Sequence, residues 1–226
     1  MNTDVAAYYD RLAPEYDADR FGGSYGKFID AQERRLIAAM LPRGATRILD
    51  IGCGTGRLTD FASHGCDISA QSVRLASLRH PGKSFAVADA TALPYPDASF
   101  DAAQCFHLLM HLDRATVATL LVEAARVLAP GGTFVVDVAS GRRRRLVRRP
   151  ANGWHGATSL TRAELAALGA QAGLRLDRIS GVAMTPIHRV PSAWRAALVP
   201  VDRMVCAALP DFASYLVAAF VKTGDR

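Results

Sequence analysis

The chain has 226 residues, half of them hydrophobic, and a net charge of +6; that length buries one substantial core and argues against a second full domain. No run of about 18 apolar residues occurs, and the N-terminus lacks a charged-then-apolar leader, so a soluble, cytoplasmic protein without a membrane segment is expected. The cysteines, Cys53, Cys66, Cys105 and Cys206, form no CxxC pair, which predicts reduced, buried thiols and neither a metal site nor a disulfide framework.

In chain order, residues 2–23 carry tyrosines and acids with no clean period, whereas Ile29, Leu36, Ile37 and Met40 fit a helix from Ser24 that Pro42 and Gly44 end. The front end reads as a helical cap. Residues 47–51 form a short apolar run stopping at glycines, as a buried parallel strand does, and a helix is expected from about Gly56. Residues 85–88, 102–106 and 133–138 read as further strands. Between the last two, residues 113–128 form a helix with one apolar stripe from Val117 to Leu128, an Asp113 cap, and Pro130-Gly131-Gly132 as its stop. Thr161 and Glu164 predict a capping box on another helix, closed by Gly173, and residues 174–179 and 214–221 are closing strands. Six arginines crowd residues 142–150 in a loop or short basic helix. This alternation predicts an α/β fold: a Rossmann-like sheet, mostly parallel with an antiparallel closing strand, helices on both faces, and an N-terminal helical cap.

The informative segment is Ile48-Leu49-Asp50-Ile51-Gly52-Cys53-Gly54-Thr55-Gly56, a strand running into three alternate glycines. Residues without Cβ let the turn take unusual dihedrals and let the main chain lie against a ligand. A dinucleotide-binding turn would place Gly or Ala where Arg57 stands. With Asp50 before the first glycine, the segment instead resembles motif I of the class I S-adenosylmethionine-dependent methyltransferases. Further segments resemble the same family in the same order over residues 5–140: Tyr8-Tyr9-Asp10 and Glu15-Tyr16-Asp17 in the cap, Asp67-Ile68-Ser69 at the end of a second strand, Val87-Ala88-Asp89-Ala90 before Leu93-Pro94, and residues 126–132 before the fifth strand. Only ten residues separate Gly56 from Asp67, fewer than most members have, so the second strand should be truncated.

The resemblance implies S-adenosylmethionine as cofactor and assigns roles. Asp67, beside Ile68, takes the ribose hydroxyls, a carboxylate being able to accept both in a fork; Asp89 and Ala90 meet the adenine. Gly52, Cys53, Gly54, Thr55 and Gly56 line the methionine end, with Asp50 orienting that loop or taking the amino group. Tyr16, with Tyr8 and Tyr9, closes over the sulfonium or its carboxylate. Phe106 and His107 end the fourth strand near the methyl, and His107 is the first candidate for a base or for positioning the acceptor. His111, His155 and His188 are secondary candidates; His64 and His80 read as surface residues. Three regions are expected: a cap over 1–43, a cofactor-binding core over 44–140, and substrate-cap segments with closing strands over 141–226.

For the acceptor, the chain has Gln104-Cys105-Phe106-His107 where amino methyltransferases acting on bases or glutamine carry Asn/Asp-Pro-Pro-Tyr/Phe, and it has no recognisable RNA-binding module. A small molecule is therefore expected to receive the methyl group on O or N, with secondary metabolism as its setting. The arginine run keeps an acidic or phosphate-bearing substrate or carrier in view, and RNA as a rival acceptor. Trp154, Trp194 and Met184 suit a pocket for an aromatic or polyketide-like acceptor as well as plain packing. A methyltransferase-like scaffold acting as a cyclase or as a non-catalytic binding protein is the alternative from another class.

Overall fold

The computed structural model describes residues 3–148 and 157–224. Among them the strands are β1 (Ile48–Ile51), β2 (His64–Asp67), β3 (Ser84–Val87), β4 (Phe100–Cys105), β5 (Leu128–Ala139), β6 (Leu174–Val182) and β7 (Tyr215–Lys222). They form one sheet in the order β3-β2-β1-β4-β5-β7-β6. The first five pair in parallel, and β7 runs antiparallel between β5 and β6. The strand order turns round between β1 and β4, the place where an open α/β sheet leaves a crevice beyond its carboxyl ends.

The helices are α1 (Thr3–Leu12), α2 (Tyr16–Phe21), α3 (Ser24–Met40), α4 (Ala70–Arg79), α5 (Arg114–Val127), α6 (Gly141–Leu146), α7 (Arg162–Gln171) and α8 (Ser192–Ala208). Period-two alternation in the central strands divides the core. Phe134, Val136, Leu216, Ala218 and Phe220 pack with Leu120 and Leu121 of α5 and Leu165 of α7, while Val135, Val217 and Ala219 pack with Ile29, Leu36, Ile37 and Met40 of α3. The cap is therefore part of one face of the sheet. The expected end signals are present: Asp113 accepts from the Thr116 N–H, Thr161 and Glu164 form the capping box, and Gly173 takes a positive φ of 75°. All four cysteines are free and buried.

The structure corrects several expectations. No α-helix follows Gly56; a single 3-10 turn at Thr59–Phe61 stands there, because ten residues cannot hold a helix and also bring the chain back to β2. That face is closed instead by α3, where Arg34 pairs with Asp60 at 2.7 Å and donates to the Arg57 carbonyl. β2 has four residues, as short as expected, yet pairs on both sides. α5 ends at Val127, just ahead of Pro130, Gly131 and Gly132, but β5 starts at Leu128 rather than residue 133, so those three residues lie inside the strand, beside a register shift against β4. The unperiodic front end is two helices, and α8, with Pro200 inside it, has no counterpart in the expected elements. Neither His64 nor His80 lies free on the surface. His64 packs edge-on against Phe100 at 5.2 Å, and His80, 11% exposed, holds the Gly56 carbonyl through Nε2 at 2.8 Å.

Candidate active site

A cleft with about 1180 Å³ of empty space, counting its open mouth, lies over the ends of β1, β2 and β4. Its floor is the turn after β1, where Gly52, Gly54 and Gly56 all take positive φ. At Gly52 a Cβ would also meet the end of the Leu108 side chain at 2.9 Å, so a larger residue would have to displace Leu108 as well as take a dihedral that favours glycine. The turn is anchored from both sides. The Gly52 and Cys53 N–H groups donate to the Cys66 carbonyl at 2.8 and 2.9 Å, and the Gly54 N–H donates to Asp67 Oδ2 at 2.9 Å.

Asp67 also accepts from the Ser69 N–H at 2.9 Å, which fixes the plane of its carboxylate at the end of β2. Burial pushes its carboxyl above the usual range, opposed by those N–H donors. Asp50 lies deeper, 3% exposed, and accepts from Thr59 Oγ1 at 2.7 Å; burial raises its carboxyl to about 6. Asp89 folds back to accept from the Thr91 N–H and hydroxyl at 3.0 and 2.7 Å, and the Asp89–Thr91 turn forms the far wall.

The cap is tied to this floor by named bonds. Asp10 of α1 accepts from the Ser69 hydroxyl at 2.6 Å and the Gln71 N–H at 2.9 Å. Asp17 of α2 accepts from Thr55 Oγ1 at 2.7 Å and pairs with Arg79. Arg57 pairs with Asp30 at 2.5 Å and Glu33 at 2.9 Å, both on α3, and stacks 3.6 Å from the Phe21 ring centroid.

Of the residues expected to hold a cofactor, Tyr16, Asp50, Gly52, Cys53, Gly54, Thr55, Asp67, Ile68, Asp89, Ala90 and Phe106 all line the cleft. Gly56 does not: it faces away, its N–H on the Cys53 carbonyl and its own carbonyl on His80. The donor set fits an adenosyl sulfonium ligand. A fixed carboxylate sits one strand from a turn with three glycines, and at Gly54 nothing lies within 4 Å of where a Cβ would be.

A second, aromatic chamber adjoins the cleft, walled by Tyr8, Tyr25, Ile29, Met110 and Tyr215, and shares Tyr9, Tyr16, Phe21, His107 and His111 with it. His107, at a strained φ of 58°, is held in place by carboxylates. Its backbone N–H donates to Asp137 Oδ1 at 2.7 Å and its ring Nε2 lies 2.6 Å from Glu33 Oε1. Burial alone would lower its pKa, but the charges of Glu33 and Asp137 outweigh that and raise it. Glu33 and Asp137 were not singled out from the sequence, and Arg57 was singled out only as the residue that departs from a dinucleotide-binding turn. Glu33 could have been found as an acid on the apolar stripe of α3, between Ile29 and Leu36, and Asp137 as the lone charge in the apolar run of β5.

Other candidates fall outside the site. Trp154, His155 and Arg149 lie outside the described residues. Trp194 is 66% exposed on α8 and, like Met184, lines neither cavity. The basic run is the short helix α6; there Arg142 stacks over Phe212 at 4.6 Å and Arg143 donates to the Met184 and Phe212 carbonyls, so two of its guanidinium groups serve the fold. His188 sits in a 3-10 turn at Ile187–Arg189. Among the described residues no helix is long and apolar enough to cross a membrane.

Residues 49–136 match the sequence family described as a methyltransferase domain. Over 140 residues the chain is 36% identical to the demethylmenaquinone methyltransferase of Renibacterium salmoninarum, covering 59% of this chain and 57% of that one. Over 115 residues it is 41% identical to the 27-O-demethylrifamycin SV methyltransferase of Amycolatopsis mediterranei, covering 44% and 41%. The chain thus matches about half the length of these curated relatives. Among solved structures, a SAM-dependent methyltransferase of Thermotoga maritima, described as a possible histamine N-methyltransferase, superposes with a TM-score of 0.70 at 20% identity, covering 95% of this chain and 98% of that one; at that identity the likeness speaks for the fold. Residues 49–136 thus match the methyltransferase-domain family, and with this sheet order and this glycine turn the chain has the fold of the class I S-adenosylmethionine-dependent methyltransferases.

Proposed function

We propose that the protein transfers the methyl group of S-adenosylmethionine to an O or N atom of a small, aromatic acceptor, with His107 taking the proton the acceptor loses. One observation carries this reading: the cleft and the aromatic chamber meet at His107, Tyr9, Tyr16 and Phe21. The cofactor supplies a sulfonium whose methyl group leaves readily, so the chain's own contribution is placement and exclusion of water. Asp67 holds the ribose hydroxyls, the backbone of residues 52–55 holds the amino-acid end, and Asp89 with Ala90 bounds the adenine. Tyr9 and Tyr16 divide the two spaces and offer the sulfonium aromatic faces. The chamber wall comes from the cap and from Tyr215, so specificity in this reading resides mainly before residue 43 rather than after residue 140.

Against an RNA acceptor stands the loss of Arg142 and Arg143 to internal contacts. The relatives named above act on a menaquinone precursor and on a rifamycin, as their names state, which supports a small molecule with a ring system and leaves a role in secondary metabolism as part of the proposal. The test is methyl transfer from labelled cofactor to a panel of phenols and aromatic amines, with bulk RNA in parallel. Turnover of a ring-bearing small molecule, reduced about 10²-fold or more in His107→Gln with affinity for S-adenosylhomocysteine kept, is the expected result. Labelling of RNA alone would refute the reading.

A further inference from the structure

Glu33 is 1% exposed, Asp137 is 1% exposed, and Asp137 Oδ2 has no hydrogen-bond partner. Two acids this deep need a reason, since a buried carboxylate without compensation is costly. Both converge on one imidazole: Glu33 Oε1 lies 2.6 Å from His107 Nε2, and Asp137 Oδ2 lies 4.0 Å from Nδ1. The other Glu33 oxygen is held by Arg57. Phe21 of α2 at 5.5 Å and Tyr215 of β7 at 5.9 Å also pack edge-on against the ring. A donor is required at Nε2, because Glu33 can only accept while ionised, and its pair of cations holds its carboxyl below the usual range against burial. The neutral ring is therefore the Nε2–H tautomer, with its lone pair on Nδ1.

Resting on the methyl-transfer reading above, we propose that Glu33, supplied by the cap helix α3, is the positioning residue that fixes His107 in the Nε2–H tautomer, and that Asp137 stabilises the imidazolium formed when Nδ1 takes the acceptor's proton. The balance is simple. The acceptor's O–H or N–H electron pair forms the new bond to carbon, the S–C pair stays on sulfur, and the proton goes to Nδ1. The positive charge on the ring is then flanked by two carboxylates. Because Glu33 and Arg57 join cap to core, the base is assembled only with α3 docked. Glu33, His107 and Asp137 present ligand atoms within 4.8 Å of one another, yet Arg57 already pairs with Glu33, so a dication there would have to displace a guanidinium; the arrangement favours a proton site.

The decisive measurement is nitrogen NMR of the full chain across pH, with His107 assigned by H107Q and S-adenosylhomocysteine binding followed by calorimetry on the same samples. The wild type should show the Nε2–H tautomer and titrate above the ordinary imidazole range. Glu33→Gln should lower that midpoint by about one pH unit or more and let the Nδ1–H form appear, while Glu33→Asp restores the midpoint in part. Asp137→Asn should lower the midpoint with the tautomer kept. A wild-type Nδ1–H tautomer, an unmoved midpoint in folded Glu33→Gln, or micromolar binding of Mn²⁺ that broadens the His107 signals would each overturn the proposal. If Glu33→Gln does not fold, the wild-type tautomer decides alone. Failure to bind S-adenosylhomocysteine sinks the methyl-transfer reading and leaves the His107 result to be judged separately.

Discussion

Replacing Arg57 by methionine keeps the length and apolar stem of the side chain and deletes its charge. In the wild type that charge pairs with Glu33, 2% exposed at its side chain, and with Asp30, 25% exposed, and it stacks on Phe21. Removing one partner of a buried pair costs about 3–5 kcal/mol. Glu33 keeps His107 as a second partner, and Asp30 keeps Arg34, so the lower end applies, about 3 kcal/mol. In a domain of this size that is roughly 6–12 °C in Tm. Urea unfolding at several pH values is the assay, because the sign of the pH dependence is fixed. The Glu33 carboxyl is held below its ordinary value, so its contribution is present in full above the unfolded value, about 4.3, and fades as pH falls through the folded value. The gap between wild type and Arg57→Met should thus stay constant above about pH 5 and narrow in acid. A loss below about 1 kcal/mol at neutral pH, or a gap that widens in acid, would refute the reasoning.

Two further outcomes follow from the floor of the cleft. Asp50 is raised to about 6 by burial, so its favourable share is present below the unfolded value near 3.9 and is lost as pH rises through about 6; Asp50→Asn, which can still accept from Thr59, should gain on the wild type in urea unfolding between about pH 4 and pH 7, and an identical pH profile would contradict this. Gly52→Ala places a side chain at φ 71° and 2.9 Å from Leu108. It should cost roughly 1–3 kcal/mol and weaken binding of S-adenosylhomocysteine, and unchanged thermal unfolding would show that the turn is not constrained as described.

The parallel core was legible because its signals are local. A buried run stopping at glycines makes β1, a single apolar stripe with Asp113 makes α5, and a capping box makes α7; each fixes its element without long-range information. The turn chemistry at Gly52 was legible in the same way, and the place of Asp67 at the end of β2 was legible through the family resemblance. What escaped depends on distant partners. Gly56 is followed by a 3-10 turn because α3 covers that face through Arg34 and Arg57, a substitution of one segment for another that no local period records. His80 was read as a surface residue and is held under the glycine turn by contacts 24 residues away in sequence. Glu33 and Asp137 each broke an apolar pattern, and such a break in a buried stripe is the sequence trace of a buried ionic site. α8 eluded the pattern because its exposed face carries Trp194, Val201 and Met204, which blurs the contrast between sides.

The most direct test of the cofactor assignment is calorimetric titration of S-adenosylhomocysteine into the wild type and into Asp67→Ala. Micromolar binding, weakened by about 1–3 kcal/mol when the carboxylate proposed to take the ribose hydroxyls is removed, is the predicted result. No binding to the wild type, or equal affinity in the variant, would contradict the assignment.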